Sequence, residues 1–225
     1  MDTKKLLAEL LGTFTFFLIG LMAIVSTVAF GKLPSAVQGA DLVVIAFGFG
    51  LGLFAAIQAF GAISGGHFNP AVTVAAVLDG RLDPMTGVGY VVSQLIGGIA
   101  AAAVVLTMTS QAAIAGTATV PGSGLSDIQA VIVEALFTAV FIVVILTVTK
   151  KAPNHAAFAI PLTLVAIHLA IVPFTGSSVN PARTIASAVI GAKFDSVWVY
   201  VVGPIVGAAV GWAVYRFVNG DADAG

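Results

Sequence analysis

The chain has 225 residues, of which 59% are hydrophobic and 8% charged, with a net charge of −1 and a mean hydropathy of +1.10. That balance excludes a soluble domain of this size and marks an integral membrane protein. A near-neutral chain without a basic cluster gives no support for nucleic-acid binding, and the absence of cysteine excludes disulfides and thiol chemistry.

Crossing a hydrocarbon layer of ~30 Å takes roughly 20 apolar residues per helix. Lys4-Lys5 precede an apolar stretch over 6–30 that contains Glu9 and Thr13. It is too long for a secretory leader and lacks a small-residue cleavage site, so it reads as the first retained helix. A second stretch over 42–62 carries Phe49, and a Gly/Ser-rich segment then leads into Asn69-Pro70-Ala71. Asn is a preferred N-cap and Pro suits the first helical position, so the tripeptide predicts a helix start. The run that follows, to about Leu78, is too short to span. A third stretch covers 87–109. Ser110 to Asp127, rich in Gly, Ser and Thr, reads as the longest external loop and carries no chemistry. Spans over 129–149, with Glu134 and Thr138, and over 156–173, with His168, lead to a second Asn-Pro-Ala at 180–182. A second short helix to about Ile190 and a last span over 197–218 complete the chain.

The halves repeat. Ile63 to Thr73 aligns without gaps with Phe174 to Thr184, and Glu9 and Thr13 match Glu134 and Thr138. Three spans per half place the second copy upside down, so the two half-helices enter from opposite faces and meet near the midplane. The expected fold is therefore an all-α membrane protein with six transmembrane helices and two re-entrant half-helices in an inverted repeat. It is one channel domain over 1–225, with repeats at about 5–109 and 128–218 joined by the loop 110–127. Lys4, Lys5, Arg81, Lys150, Lys151 and Arg216 fall on one side of this topology, and Lys32 and Lys193 on the other. The positive-inside rule then makes both termini cytoplasmic, in a multi-pass protein of the cell membrane.

Non-helical backbone at membrane depth is tolerated only against protein or a water-filled cavity, so two such helix starts imply a lined passage. Each capping Asn uses its side-chain oxygen on its own helix, which leaves the amide NH₂ free to donate towards one central spot. The half-helix N-termini add about half a positive charge each, favouring a lone pair and repelling cations. For Arg183, two readings stay open: an ion pair with Glu9 or Glu134, or a fixed positive charge in a pore mouth. Glu9 and Glu134 are either proton relays or acceptors for loop N–H groups that have no ladder. His168 and Phe49, taken alone, read as core residues. Gly203, Gly207 and Gly211, like Ser93, Gly97 and Ala101, form stripes of small residues that allow close helix packing.

With both motifs, both acids and the repeat order in place, the whole chain resembles the aquaporins, or major intrinsic proteins. The resemblance implies a pore in each subunit and a homotetramer, with water as the permeant and no cofactor or metal. It places the midplane donors at Asn69 and Asn180 and a selectivity constriction at Phe49, His168, Ser177 and Arg183. Backbone carbonyls of Gly65, Gly66, His67 and Phe68, and of Gly176, Ser177, Ser178 and Val179, would form an acceptor ladder. Phe, His and Arg at the constriction match the water-selective bacterial and archaeal type, whereas glycerol-conducting members carry Gly in place of the His. Ser177, where Thr is common, and Val201, where Trp is common, depart from the pattern. The rivals are a facilitator of glycerol, ammonia or hydrogen peroxide, and a proton- or ion-coupled transporter using Glu9 or Glu134. No nucleophile and base, metal cluster or phosphate loop points to an enzyme.

Overall fold

Where no water reaches the backbone, a chain satisfies its N–H and C=O groups by coiling. A computed structural model describes residues 2–28 and 40–219, and among these every regular element is helical. The elements are α1 (Thr3–Val28), α2 (Ala40–Ala56), α3 (Pro70–Leu78), α4 (Pro84–Met108), α5 (Gln111–Ala115), α6 (Asp127–Lys151), α7 (Pro153–Thr175), α8 (Pro181–Gly191) and α9 (Val199–Asn219). A π-helical turn, Ile57–Gly61, carries α2 on to Ala62–Ser64, an irregularity the apolar run does not reveal. Six of these helices are long and apolar enough to cross a bilayer. Residues 29–30 of the first expected span, Lys32 of the charge count and the chain beyond 219 lie outside the described residues.

The caps are local. Asn69 and Asn180 have extended backbones, and their Oδ1 atoms accept from Ala71 N at 2.9 Å and Ala182 N at 3.1 Å. Pro70 and Pro181 follow at the first helical position. Nine and eleven residues give α3 and α8 lengths of about 14 and 17 Å, half of a bilayer core.

Packing weaves the repeats together. Within the first half α1 lies on α2 and α4; within the second, α6 lies on α7 and α9. Between halves α2 meets α7, while α8 rests on α4 and α3 rests on α9, so each half-helix is clasped by the other repeat. Small residues set the distances. A Cβ at Gly97 would stand 2.2 Å from Leu10 O, and one at Gly207 2.4 Å from Ala135 O, so α4 and α9 touch the backbones of α1 and α6. The buried interior holds Phe17, Phe49, Phe68, Ile142, Leu164 and Ile171. Val88, Val92, Leu136, Val140 and Leu162 are half or more exposed, the apolar exterior a bilayer solvates.

Most basic residues gather at one end. Arg81 pairs with Asp79 (2.6 Å) and donates to Thr149 Oγ1 (2.7 Å) and Tyr215 Oη (3.2 Å), and Lys151 donates to Asn219. These contacts tie the end of α3 to the ends of α6 and α9.

Close approach makes Gly97 sensitive to added volume. Gly97→Val should destabilise the protein by about 1–3 kcal/mol, as overpacked cores do, read as a lower unfolding midpoint in detergent. An unchanged midpoint would show that α1 and α4 are not held this closely.

Candidate functional site

The loops that precede α3 and α8 cannot form a ladder, and their N–H groups are aimed at one carboxylate each. Glu9, wholly buried on α1, accepts from Ser64 Oγ (2.6 Å), His67 N (2.9 Å) and Phe68 N (2.7 Å). Glu134, wholly buried on α6, accepts from Thr175 Oγ1 (2.7 Å), Ser178 N (2.9 Å) and Val179 N (2.7 Å). The two sets match atom for atom under the repeat. Gln94 adds a fourth donor to Glu9 at 2.7 Å. With their oxygens directed at loop donors, neither acid lines the central cavity.

The two helix starts also hold each other. Asn69 Nδ2 donates to Val179 O at 2.8 Å, and Asn180 Nδ2 donates to Phe68 O at 2.9 Å. This corrects the expectation of a wholly free amide: each NH₂ spends one proton on the opposite loop and keeps one. The carbonyls of Phe68 and Val179 each accept one of these bonds and keep a second lone pair. Both residues have positive φ, +48° and +43°, a conformation disfavoured for any side chain and most of all for a β-branched one.

A cavity of about 330 Å³ runs along these starts. Lys5, Arg81 and Thr149 line one end, Asn69 and Asn180 the middle, and Phe49, His168 and Arg183 the other end. Gly65, Gly66, His67, Ser178 and Val179 lie on its wall, as do the apolar Val72, Ile142 and Leu164. Of the residues assigned from sequence, Phe68, Gly176 and Ser177 are not on that wall. Ser177 is wholly buried, with no partner for Oγ among the described residues.

Three side chains converge at the far end. The Phe49 and His168 rings stack with centroids 4.8 Å apart, and the Arg183 guanidinium carbon lies 5.4 Å from the Phe49 centroid. Gly20 seats the phenyl ring, since a Cβ there would be 2.7 Å from it. His168 Nδ1 lies 3.0 Å from Leu164 O and so carries a proton; in the neutral ring Nε2 is an acceptor. Arg183, 3% exposed, donates through Nη1 to Thr117 O at 2.7 Å rather than to Glu9 or Glu134. That settles its reading against an ion pair. It also corrects the reading of the loop 110–127 as inert, because this segment supplies the acceptor for the buried Arg183 guanidinium. Nothing at Thr117 could have signalled this, since any residue offers a carbonyl.

Half-helices capped by Asn, clasped across an inverted repeat and set along a lined cavity, find a match over almost the full chain: residues 1–215 fit the family described as major intrinsic protein. The chain belongs to that family. Aquaporin Z of Photorhabdus laumondii is 39% identical, covering 96% of this chain and 97% of that protein. The glycerol uptake facilitator protein-like 6 of Lactiplantibacillus plantarum is also 39% identical, covering 91% and 93%. The fold is that of the aquaglyceroporin from Plasmodium falciparum, with a TM-score of 0.86 at 22% identity over 99% of both chains. As a major intrinsic protein the chain is a multi-pass membrane channel for water or small solutes.

The Glu134 arrangement leads to a direct test. In Glu134→Gln an amide NH₂ replaces one of two acceptor oxygens and opposes an N–H that faced it. The buried mismatch should cost about 1–3 kcal/mol, lowering the unfolding midpoint, with a comparable loss in Glu9→Gln. Equal stability of both variants and wild type would show that these acids do not hold the loops.

Proposed function

We propose that the protein is a passive water channel that excludes protons and ions. The observation that carries this reading is the crossed pair of amides, Asn69 Nδ2 on Val179 O and Asn180 Nδ2 on Phe68 O. Each amide keeps one N–H, and both belong to helix starts whose dipoles are positive. A permeant oxygen there accepts from both and turns its own hydrogens outward, which breaks a proton wire at the midplane. The fixed charge of Arg183 and the positive helix ends raise the barrier to cations.

Selectivity by size falls to the contact of Phe49, His168 and Arg183. His168 Nε2 and Arg183 Nε have no partner among the described residues, an acceptor and a donor that a water file satisfies together. The match of Phe, His and Arg to the water-selective type supports water over glycerol, as does the likeness to Aquaporin Z. Ser177, proposed from the resemblance as the fourth constriction residue, is wholly buried and does not line the cavity. A facilitator of small neutral solutes is the second reading, favoured by equal identity to a glycerol facilitator-like protein. Coupled transport is disfavoured because Glu9 and Glu134 face loop donors and not the cavity. The same reading takes 1–225 as one channel domain, with no cofactor and no enzymatic step. It puts both termini on the cytoplasmic side of the cell membrane and assembles the chain as a homotetramer.

Stopped-flow light scattering of proteoliposomes should show water permeability well above that of empty vesicles. Permeability at the empty-vesicle level, with folded protein present, rejects the channel reading. In the same assay His168→Gly should raise glycerol flux relative to water by about tenfold, the lower range of steric discrimination in a pocket. An unchanged ratio would show that His168 does not limit size.

A further inference from the structure

The repeats satisfy equivalent threonines in different ways. Thr73 and Thr184 each stand four residues after a capping Asn. Thr73 is served from its own half, with Gln94 Nε2 donating to its Oγ1 at 2.9 Å. The third helices of the halves share a sequence, Tyr90-Val91-Val92-Ser93-Gln94 against Tyr200-Val201-Val202-Gly203-Pro204. Pro204 therefore stands where Gln94 does, and it has no side-chain donor. Thr184, 1% exposed, takes its partner from outside the repeat: Thr119 Oγ1, in the connecting segment, lies 2.6 Å away and is itself 1% exposed.

The hydroxyls form a chain with one consistent sense. Ser178 Oγ donates to Asn180 O at 2.8 Å, so its contact with Thr184 Oγ1, also 2.8 Å, is an accepted bond. Thr184 has then spent its proton and accepts from Thr119. The chain runs from Thr119 through Thr184 and Ser178 to the carbonyl of the Asn180 cap. It begins two residues from Thr117, whose carbonyl holds Arg183. Gly176 packs against Thr119, where a Cβ would meet its Cγ2 at 3.3 Å.

We propose that Thr119 is a positioning and specificity-determining residue. Its hydroxyl ties the connecting segment to α8, so that the Thr117 carbonyl stands where it holds the Arg183 guanidinium over Phe49. This rests on the reading of Phe49, His168 and Arg183 as the selectivity constriction. Without that hydroxyl Thr184 loses its donor, the 117–119 segment loses its tether, and the guanidinium loses a fixed acceptor. The opening then admits larger neutral solutes.

The test compares full-length wild type, Thr119→Val and Thr119→Ser in vesicles of one lipid composition, with water and glycerol permeabilities measured by stopped-flow scattering. Thr119→Val should raise the glycerol-to-water ratio about fivefold, the factor equivalent to one buried hydrogen bond, and Thr119→Ser should match wild type. An unchanged ratio in Thr119→Val overturns the inference. A ratio that rises equally in Thr119→Ser also overturns it, because the methyl packing and not the hydroxyl would be responsible. Thr119→Ala removes the same hydroxyl without a branched side chain and serves where Thr119→Val does not fold. Should wild type conduct no water above empty vesicles, the channel reading fails by itself. The crystal structure of the hydroxyl-less variant then decides the inference: Arg183 Nη1 moved from Thr117 O supports it, and Arg183 Nη1 still on Thr117 O overturns it.

Discussion

Two stretches of irregular backbone sit at membrane depth, and each must be satisfied by something other than water. An unpaired buried N–H there costs several kcal/mol. Glu9 and Glu134 meet this demand, each taking two consecutive loop N–H groups and one hydroxyl at matching distances. A carboxylate suits the task because it only accepts, and its two oxygens can serve several donors. Everything downstream depends on this arrangement: the loops keep their shape, the helix starts face each other, and the cavity has a polar wall.

The crossed Asn amides add a second constraint. Phe68 and Val179 carry positive φ, a cost of roughly 1–2 kcal/mol each. Each strained residue presents the carbonyl that accepts from the opposite Asn. A hydrogen bond made away from water offsets much of that strain, and the result is a midplane whose two donors have little freedom to move. The proposed exclusion of protons needs this stiffness, because a donor pair that reoriented with each passing molecule would not hold a permeant in one orientation.

The halves are alike in what supports the backbone and unlike in what faces the permeant. Val72 and Arg183 are equivalent after their motifs, yet one adds an apolar wall and the other a buried charge. A buried guanidinium needs partners, and the connecting segment supplies one at Thr117. Equal identity to an aquaporin and to a glycerol facilitator-like protein fits this division. Shared sequence maintains the scaffold, and the proposed discrimination among solutes falls to a few side chains on the cavity wall, Phe49, His168 and Arg183.

The six spans, the half-helices, the inverted repeat and the pairing of Glu9 with Glu134 are all legible in the residues. Apolar length, N-cap chemistry and internal alignment are local or periodic properties, written directly in side-chain types. The bounds of α3 and α8 follow from Asn, Pro and the length of the apolar run alone. What escapes such reading is of a different kind. Thr117 acts through a carbonyl that any residue would supply, 66 positions from Arg183. Phe68 and Val179 adopt a backbone conformation their side chains disfavour, which only the surrounding contacts impose. The π-helical turn at Ile57–Gly61, the seat of Phe49 on Gly20 and the withdrawal of Ser177 from the cavity wall are likewise products of packing. Side-chain chemistry by itself determined that this chain crosses a membrane and begins two helices inside it. Which backbone groups meet across the repeats, and so how the buried guanidinium of Arg183 is held, was decided only when distant segments came into contact, because main-chain donors and acceptors are the same at nearly every position.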